Sequence, residues 1–105
     1  MDKEKIEIMK GLESFKEKVS KLGIEKIIVF GSFARGEMKK DSDIDLILVG
    51  KRFKGKKFFE RALGLHWYWK LHYPVDFICY TPKEFEKLKK RVSIVSTALR
   101  EGIAV

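Results

Sequence analysis

The chain of 105 residues has no asparagine and no glutamine, a single cysteine and only two prolines. The missing amides are thermolabile side chains, and with Lys and Glu abundant the bias fits a protein from a hyperthermophile. Cys79 has no partner for an internal disulfide and lies in an apolar, strand-like run, so a buried thiol in a reducing cytoplasm is expected. No apolar run approaches the ~20 residues that cross a bilayer. Met1 to Lys5 is charged and leads into an amphipathic pattern, so no secretory signal is expected there. Neither Gly-x-x-x-x-Gly-Lys-Ser/Thr nor Gly-x-Gly-x-x-Gly occurs (Gly50 to Lys56 has the first spacing but is followed by Lys57), which excludes both of those nucleotide-binding turns. His66 and His72 lack ligand spacing, and no Ser-His-Asp or Cys-His pattern offers a nucleophile.

What is present in excess is positive charge, a formal +8. It gathers in Lys51-Arg52-Phe53-Lys54-Gly55-Lys56-Lys57 and between Lys83 and Arg91. Such patches attract phosphate backbones, acidic partners or nucleotides. In the second cluster Glu84 and Glu86 alternate with the lysines, the pattern of a solvated helix face. Surface charge is therefore favoured over dedicated nucleic-acid binding.

The length allows one domain, 1–105, with a single core. Ile6, Met9, Leu12, Phe15 and Val19 recur at helical spacing and predict a helix from Asp2 to Lys21, ended by Gly23. Lys26–Phe30, Ile44–Val49 and Val75–Tyr80 read as strands. Ser32–Gly36 reads as a short helical turn and Lys51–Lys57 as a mobile basic loop. Phe58–Leu71 reads as a long helix rich in aromatics, broken before Pro74, with Trp67 or Tyr68 left partly exposed as an anchor for a partner. Thr81, Pro82 and Glu84 form a helix N-terminal signature, and a last helix runs from Ser93 to Arg100 and stops at Gly102. Helices and strands in this order point to an α+β domain, one sheet covered by helices.

Gly31-Ser32, ten intervening residues, then Asp43-Ile44-Asp45 is the pattern that carries chemistry. A strand ends in a Gly-Ser turn, and a second strand has Asp-x-Asp at its mouth. Side chains two apart on a strand share a face, with a Cα repeat of roughly 6–7 Å. That suits carboxylates leaning over a pair of divalent ions, which stand about 3.5–4 Å apart in two-metal sites. Turn formation accounts for Asp41-Ser42 but not for Asp45, which runs straight into Leu46-Ile47-Leu48-Val49. Two like charges at 4 Å repel by about 4 kcal/mol at an effective dielectric near 20, and a cation reverses that sign. Glycine lets a backbone approach a ligand closely, and Ser32 opens a turn whose N–H groups suit an anion. Arg35 is as well placed to pair with Asp41 or Glu37 as with phosphate.

Taken whole, GSFARGEMKKDSDIDLILVG resembles the nucleotidyltransferase superfamily that includes DNA polymerase β. It is most similar to the minimal nucleotidyltransferases that act as antitoxins beside HEPN-domain toxins, and the resemblance runs from about Ile24 onward. It implies a small mixed sheet with three acids at one end. Asp76, in a Val-Asp-hydrophobic context, matches the third acid. The implied roles are two Mg²⁺ ions on Asp43, Asp45 and Asp76, with ATP phosphates on Gly31 and Ser32. Asp76 would assist deprotonation of the attacking hydroxyl. The implied reaction is AMP transfer to a partner protein, a tyrosine of a HEPN ribonuclease. Alternatives are a binding module that neutralises its partner without catalysis and a nucleic-acid-binding or -modifying subunit; a homo-oligomer is left open.

Overall fold

A computed structural model describes residues 3–105. The elements are α1 (Lys3–Ser20), β1 (Ile24–Phe30), β2 (Ile44–Gly50), β3 (Val75–Tyr80), α2 (Pro82–Leu88), α3 (Ile94–Glu101) and β4 (Ile103–Ala104). Asp2, the expected first residue of the N-terminal helix, lies outside the described residues. The four strands form one mixed sheet in the order β3-β2-β1-β4. β1 runs antiparallel to both its neighbours, and β2 and β3 are parallel. The short β4 was not expected, because two residues carry no readable alternation; Ala104 and Ile103 pair with Ile28 and Val29.

Period-two alternation builds two cores. Ile27 and Val29 with Leu46 and Leu48 face one side, where Ile8, Leu12, Phe15 and Val19 of α1 cover them. Ile28, Ile47 and Val49 face the other, against Phe85 of α2 and Val95 and Ala98 of α3. β2 is thus buried on both faces, which explains its unbroken apolar run.

The segment expected as a long helix from Phe58 to Leu71 is instead a run of 3-10 turns. Phe58–Glu60 and Leu65–Tyr68 are 3-10 helices, joined by bonds from Leu63 N–H to Glu60 O and from Leu65 N–H to Ala62 O. Gly64 sits at φ 83°, in the left-handed region, and interrupts any continuous α-helix. Trp69 and Tyr68 nonetheless pack against the core. Phe77 of β3 stacks on Phe15 of α1, centroids 5.5 Å apart, and Trp69 meets Phe15 edge-on at 5.4 Å. Leu71 lies so close to α1 that a Cβ on Gly11 would stand 2.3 Å from its Cδ2, which accounts for a glycine in mid-helix.

The basic loop after β2 is more anchored than its composition suggests. Phe53 is fully buried, and Arg52 Nη1 donates to Leu22 O at 3.1 Å. Arg61 is buried as well: its guanidinium donates to Glu84 at 2.5 and 3.1 Å, to Cys79 O and to Lys56 O. Glu84 also closes the capping box with Thr81, so one carboxylate fixes both the helix start and the loop. Cys79 is buried, as expected, and burial pushes its thiol up to about 12.

Candidate active site

One end of the sheet gathers the polar pattern. Strand register puts Phe30 opposite Asp45 across the β1–β2 pair and Asp45 opposite Asp76 across the β2–β3 pair. Neighbouring strands lie about 4.8 Å apart, so the Gly31 turn, Asp45 and Asp76 fall in one row. Asp43 precedes β2 in an irregular segment. A tight turn sets its approach: Lys39 N–H donates to Ser42 Oγ at 2.9 Å and Ser42 N–H to Lys39 O at 3.0 Å. Ile44 N–H donates to Pro74 O at 2.8 Å, which ties the start of β2 to the residue before β3.

The turn after β1 is dictated by contact as much as by conformation. Gly31 has φ 74°, and a Cβ there would stand 2.3 Å from Asp45 Oδ2. Any side chain at 31 would displace the central carboxylate. Arg35 N–H donates to Gly31 O, Gly36 N–H to Phe33 O and Glu37 N–H to Ser32 O, so residues 31–36 form consecutive turns with one helix-like bond, from Arg35 to Gly31. Phe33 is buried and holds the turn against the core, leaving Ser32 half-buried at the surface. Arg35 pairs with Glu37 at 3.3 Å.

The electrostatics follow from this crowding. Burial, then the charges of Asp76 and Asp43, push Asp45 above its ordinary value, and Arg35 partly offsets them. Both of the other acids singled out in the sequence therefore act on Asp45. Asp43 and Asp76 are exposed and Asp45 is half-buried.

A cleft of about 630 Å³ opens beside Asp45. Gly31, Ser32, Asp43 and Asp45 line it from one side, and Ile94, Thr97, Ala98 and Glu101 of α3 line it from the other. Asp76 does not line it; its effect on the cleft runs through Asp45. The α3 wall was not anticipated, since its only sequence signal is a capping serine and helical spacing. Among the described lining residues Asp41, Asp43, Asp45 and Glu101 are acidic and Arg35 is the sole cation. An anionic ligand would enter such a cleft only with cations.

Divalent metal suits these donors. Carboxylate oxygens are hard ligands, and their mutual repulsion is a charge deficit that a cation removes. Among the described residues no group of three or more His, Cys, Asp or Glu is arranged to hold a metal ion. Mg²⁺ does not require one: it keeps several waters and is held by one or two carboxylates together with substrate phosphates.

A mixed sheet covered by helices, with a Gly-Ser turn against a carboxylate row, defines the class of small nucleotidyltransferase folds. The family model described as a nucleotidyltransferase domain matches residues 8–105, and the chain belongs to that family. It is 31% identical over 97 residues to the protein adenylyltransferase MntA of Thermococcus cleftensis, covering 86% of this chain and 83% of that one. A protein of Methanocaldococcus jannaschii assigned as a protein adenylyltransferase is 26% identical over 73 residues, covering 67% of this chain and 74% of its own. In fold, the chain is similar to a crystal structure from Sulfolobus solfataricus assigned as a nucleotidyltransferase. The TM-score is 0.67 at 24% identity, over 95% of this chain and 80% of that one.

Proposed function

We propose that this protein transfers AMP from Mg-ATP to a hydroxyl of a partner protein. The observation that carries the reading is the row formed by Gly31, Asp45 and Asp76, in which a glycine turn touches a carboxylate raised by burial and by its acidic neighbours. In this reading the β- and γ-phosphates rest on Gly31 and Ser32, where turn N–H groups suit an anion. Asp43 and Asp45 would hold the metal, with Asp76 beside Asp45 as the third carboxylate. Bound Mg²⁺ would neutralise phosphate charge and polarise the phosphoryl oxygens.

The chain's residues then do the rest by position. The acceptor hydroxyl is held beside Asp76, which helps to remove its proton. Its oxygen bonds to the α-phosphorus, the bond to the β-phosphate oxygen breaks, and pyrophosphate leaves. Holding these atoms in line lowers the barrier without covalent help from the protein. The α3 wall, with Ile94 and Thr97, faces the same cleft and would pack against the nucleoside.

The acceptor comes from another polypeptide. The name of the Thermococcus relative supports a protein acceptor. The resemblance of the Gly31–Gly50 string supports a tyrosine of a HEPN ribonuclease, neutralised by the modification in an antitoxin role in the cytoplasm. The test is transfer of α-phosphate label from ATP, with Mg²⁺, into proteins of the source-organism lysate. A labelled band is expected, falling at least about a hundredfold with Asp43→Asn, the scale on which loss of one charge-stabilising group registers. Label that survives the substitution would overturn the assignment.

A further inference from the structure

The segment between residues 51 and 72 carries most of the chain's excess charge and most of its exposed aromatic surface. It holds seven Lys and Arg residues against one acid, Glu60, in a chain of net +8. Along its 3-10 turns Phe59, Leu63 and Trp67 are 76%, 72% and 77% exposed, whereas the intervening Arg61 and Leu65 are buried. The run thus turns three large apolar side chains to solvent, beside Glu60 and His66, while Arg61 and Leu65 go inward. Large exposed apolar side chains gathered on one short segment and rimmed by polar residues mark an interaction surface.

We infer that Phe59, Leu63 and Trp67, rimmed by Lys54, Lys56 and Lys57, form a docking surface for a partner protein with an acidic rim around an apolar face. Charge complementarity selects the partner. The three lysines are exposed. A second copy of this chain would bring lysines against lysines in a two-fold contact, which like charge disfavours. Single-stranded RNA fits the surface less well than protein. Both arginines of the basic loop region are turned inward, Arg52 onto Leu22 O and Arg61 onto Glu84. Leu63 offers no ring for a base, and the Phe58 ring is engaged by Tyr80 and by Arg61.

The Phe59 end of the surface stands apart from the carboxylates: Arg61 and Phe58 are fastened at Cys79 and Tyr80, the end of β3, whereas Asp76 is near its start. At the other end His66, beside Trp67, packs on Phe77, the neighbour of Asp76, so the surface reaches toward the carboxylate end of the sheet. The docking argument uses none of the carboxylates, and the proposal stands without the catalytic reading.

The experiment is fluorescence anisotropy with four labelled probes: an amphipathic peptide of Glu and Leu, its Lys/Leu and Glu/Ser counterparts, and oligouridine. The Glu/Leu peptide should bind tightest, and more weakly as salt is raised. The double variant Leu63→Ser/Trp67→Ser should weaken it at least about tenfold, as loss of central apolar anchors does. The charge reversal Lys54→Glu/Lys57→Glu, on exposed positions that leave the fold intact, should weaken it comparably and invert the preference toward the Lys/Leu peptide. Equal binding of Glu/Ser and Glu/Leu peptides, tighter binding of oligouridine, no binding of any probe, or affinity unchanged in both variants would each overturn the proposal. Label transfer to a partner and its dependence on Asp43 are read separately, so failure here leaves the catalytic reading standing.

Discussion

Asp45 concentrates the conflict between folding and chemistry. Its folded carboxyl titrates above its ordinary value of 3.8, because burial and the charges of Asp76 and Asp43 disfavour the anion. A group shifted upward contributes stability below its unfolded value and loses that contribution as pH rises through the folded one. At neutral pH the ionised Asp45 therefore strains the fold. Asp45→Asn should abolish transfer yet raise stability in metal-free buffer by a few tenths of a kcal/mol to at most about 1, since solvent screens the half-exposed carboxylate, a rise of roughly a few °C in Tm. Thermal melts at neutral pH check it, and the gap between variant and parent should narrow as the pH falls through the raised Asp45 value and be smallest below 3.8. A variant less stable than the parent at neutral pH would mean that the Asp45 anion has a stronger partner than Arg35.

Among the elements, the link between the basic loop, the 3-10 run and α2 passes through Arg61. Its guanidinium reaches Glu84, Cys79 O and Lys56 O from a buried position. The hydrogen bond from Arg61 is the largest of the causes that hold Glu84 below its ordinary 4.5, and the Thr81 bonds act in the same direction. A group shifted downward contributes stability above its unfolded value and loses it as pH falls through the folded one. Arg61→Ala should cost about 2–3 kcal/mol near neutrality, since charged hydrogen bonds to a half-exposed carboxylate and to main chain are lost. Urea titrations should show this cost shrinking below pH 4.5, opposite in sign to the Asp45 effect. The basic loop should exchange its amide protons faster in the variant, because one of its ties to the sheet is gone.

At the scale of the whole molecule, charge sits in two opposed regions. The cleft is acidic apart from Arg35, and the 51–72 face is basic. A nucleoside triphosphate should therefore stabilise the protein only together with a divalent cation. With Mg-ATP at a hundredfold excess over Kd, linkage adds about 2.7 kcal/mol, or roughly 10–20 °C in Tm. In EDTA the same ATP concentration should leave Tm nearly unchanged. An equal shift in EDTA would place the nucleotide on the basic face and remove the carboxylates from its binding.

Much of this was legible in one dimension because the relevant physics is local. The spacing of Ile44 to Val49 marks a strand whatever surrounds it, and Thr81, Pro82 and Glu84 announce a helix start by bonds within four residues. The Gly31, Ser32, Asp43, Asp45 pattern resembles a known family because its members lie close in the chain. Helical spacing failed at Phe58–Leu71, where Gly64 and burial of Arg61 outweigh propensity. The α3 wall of the cleft, the pairing of β4 with β1 and the outward turn of Leu63 were also invisible. The sequence by itself determined the family and the three long strands, since periodicity and short motifs depend on neighbours in the chain. Only the tertiary structure decided that Gly31 touches Asp45, that Asp45 lies beside Asp76 and that Arg61 lies inside, because each depends on strand register and packing between distant residues.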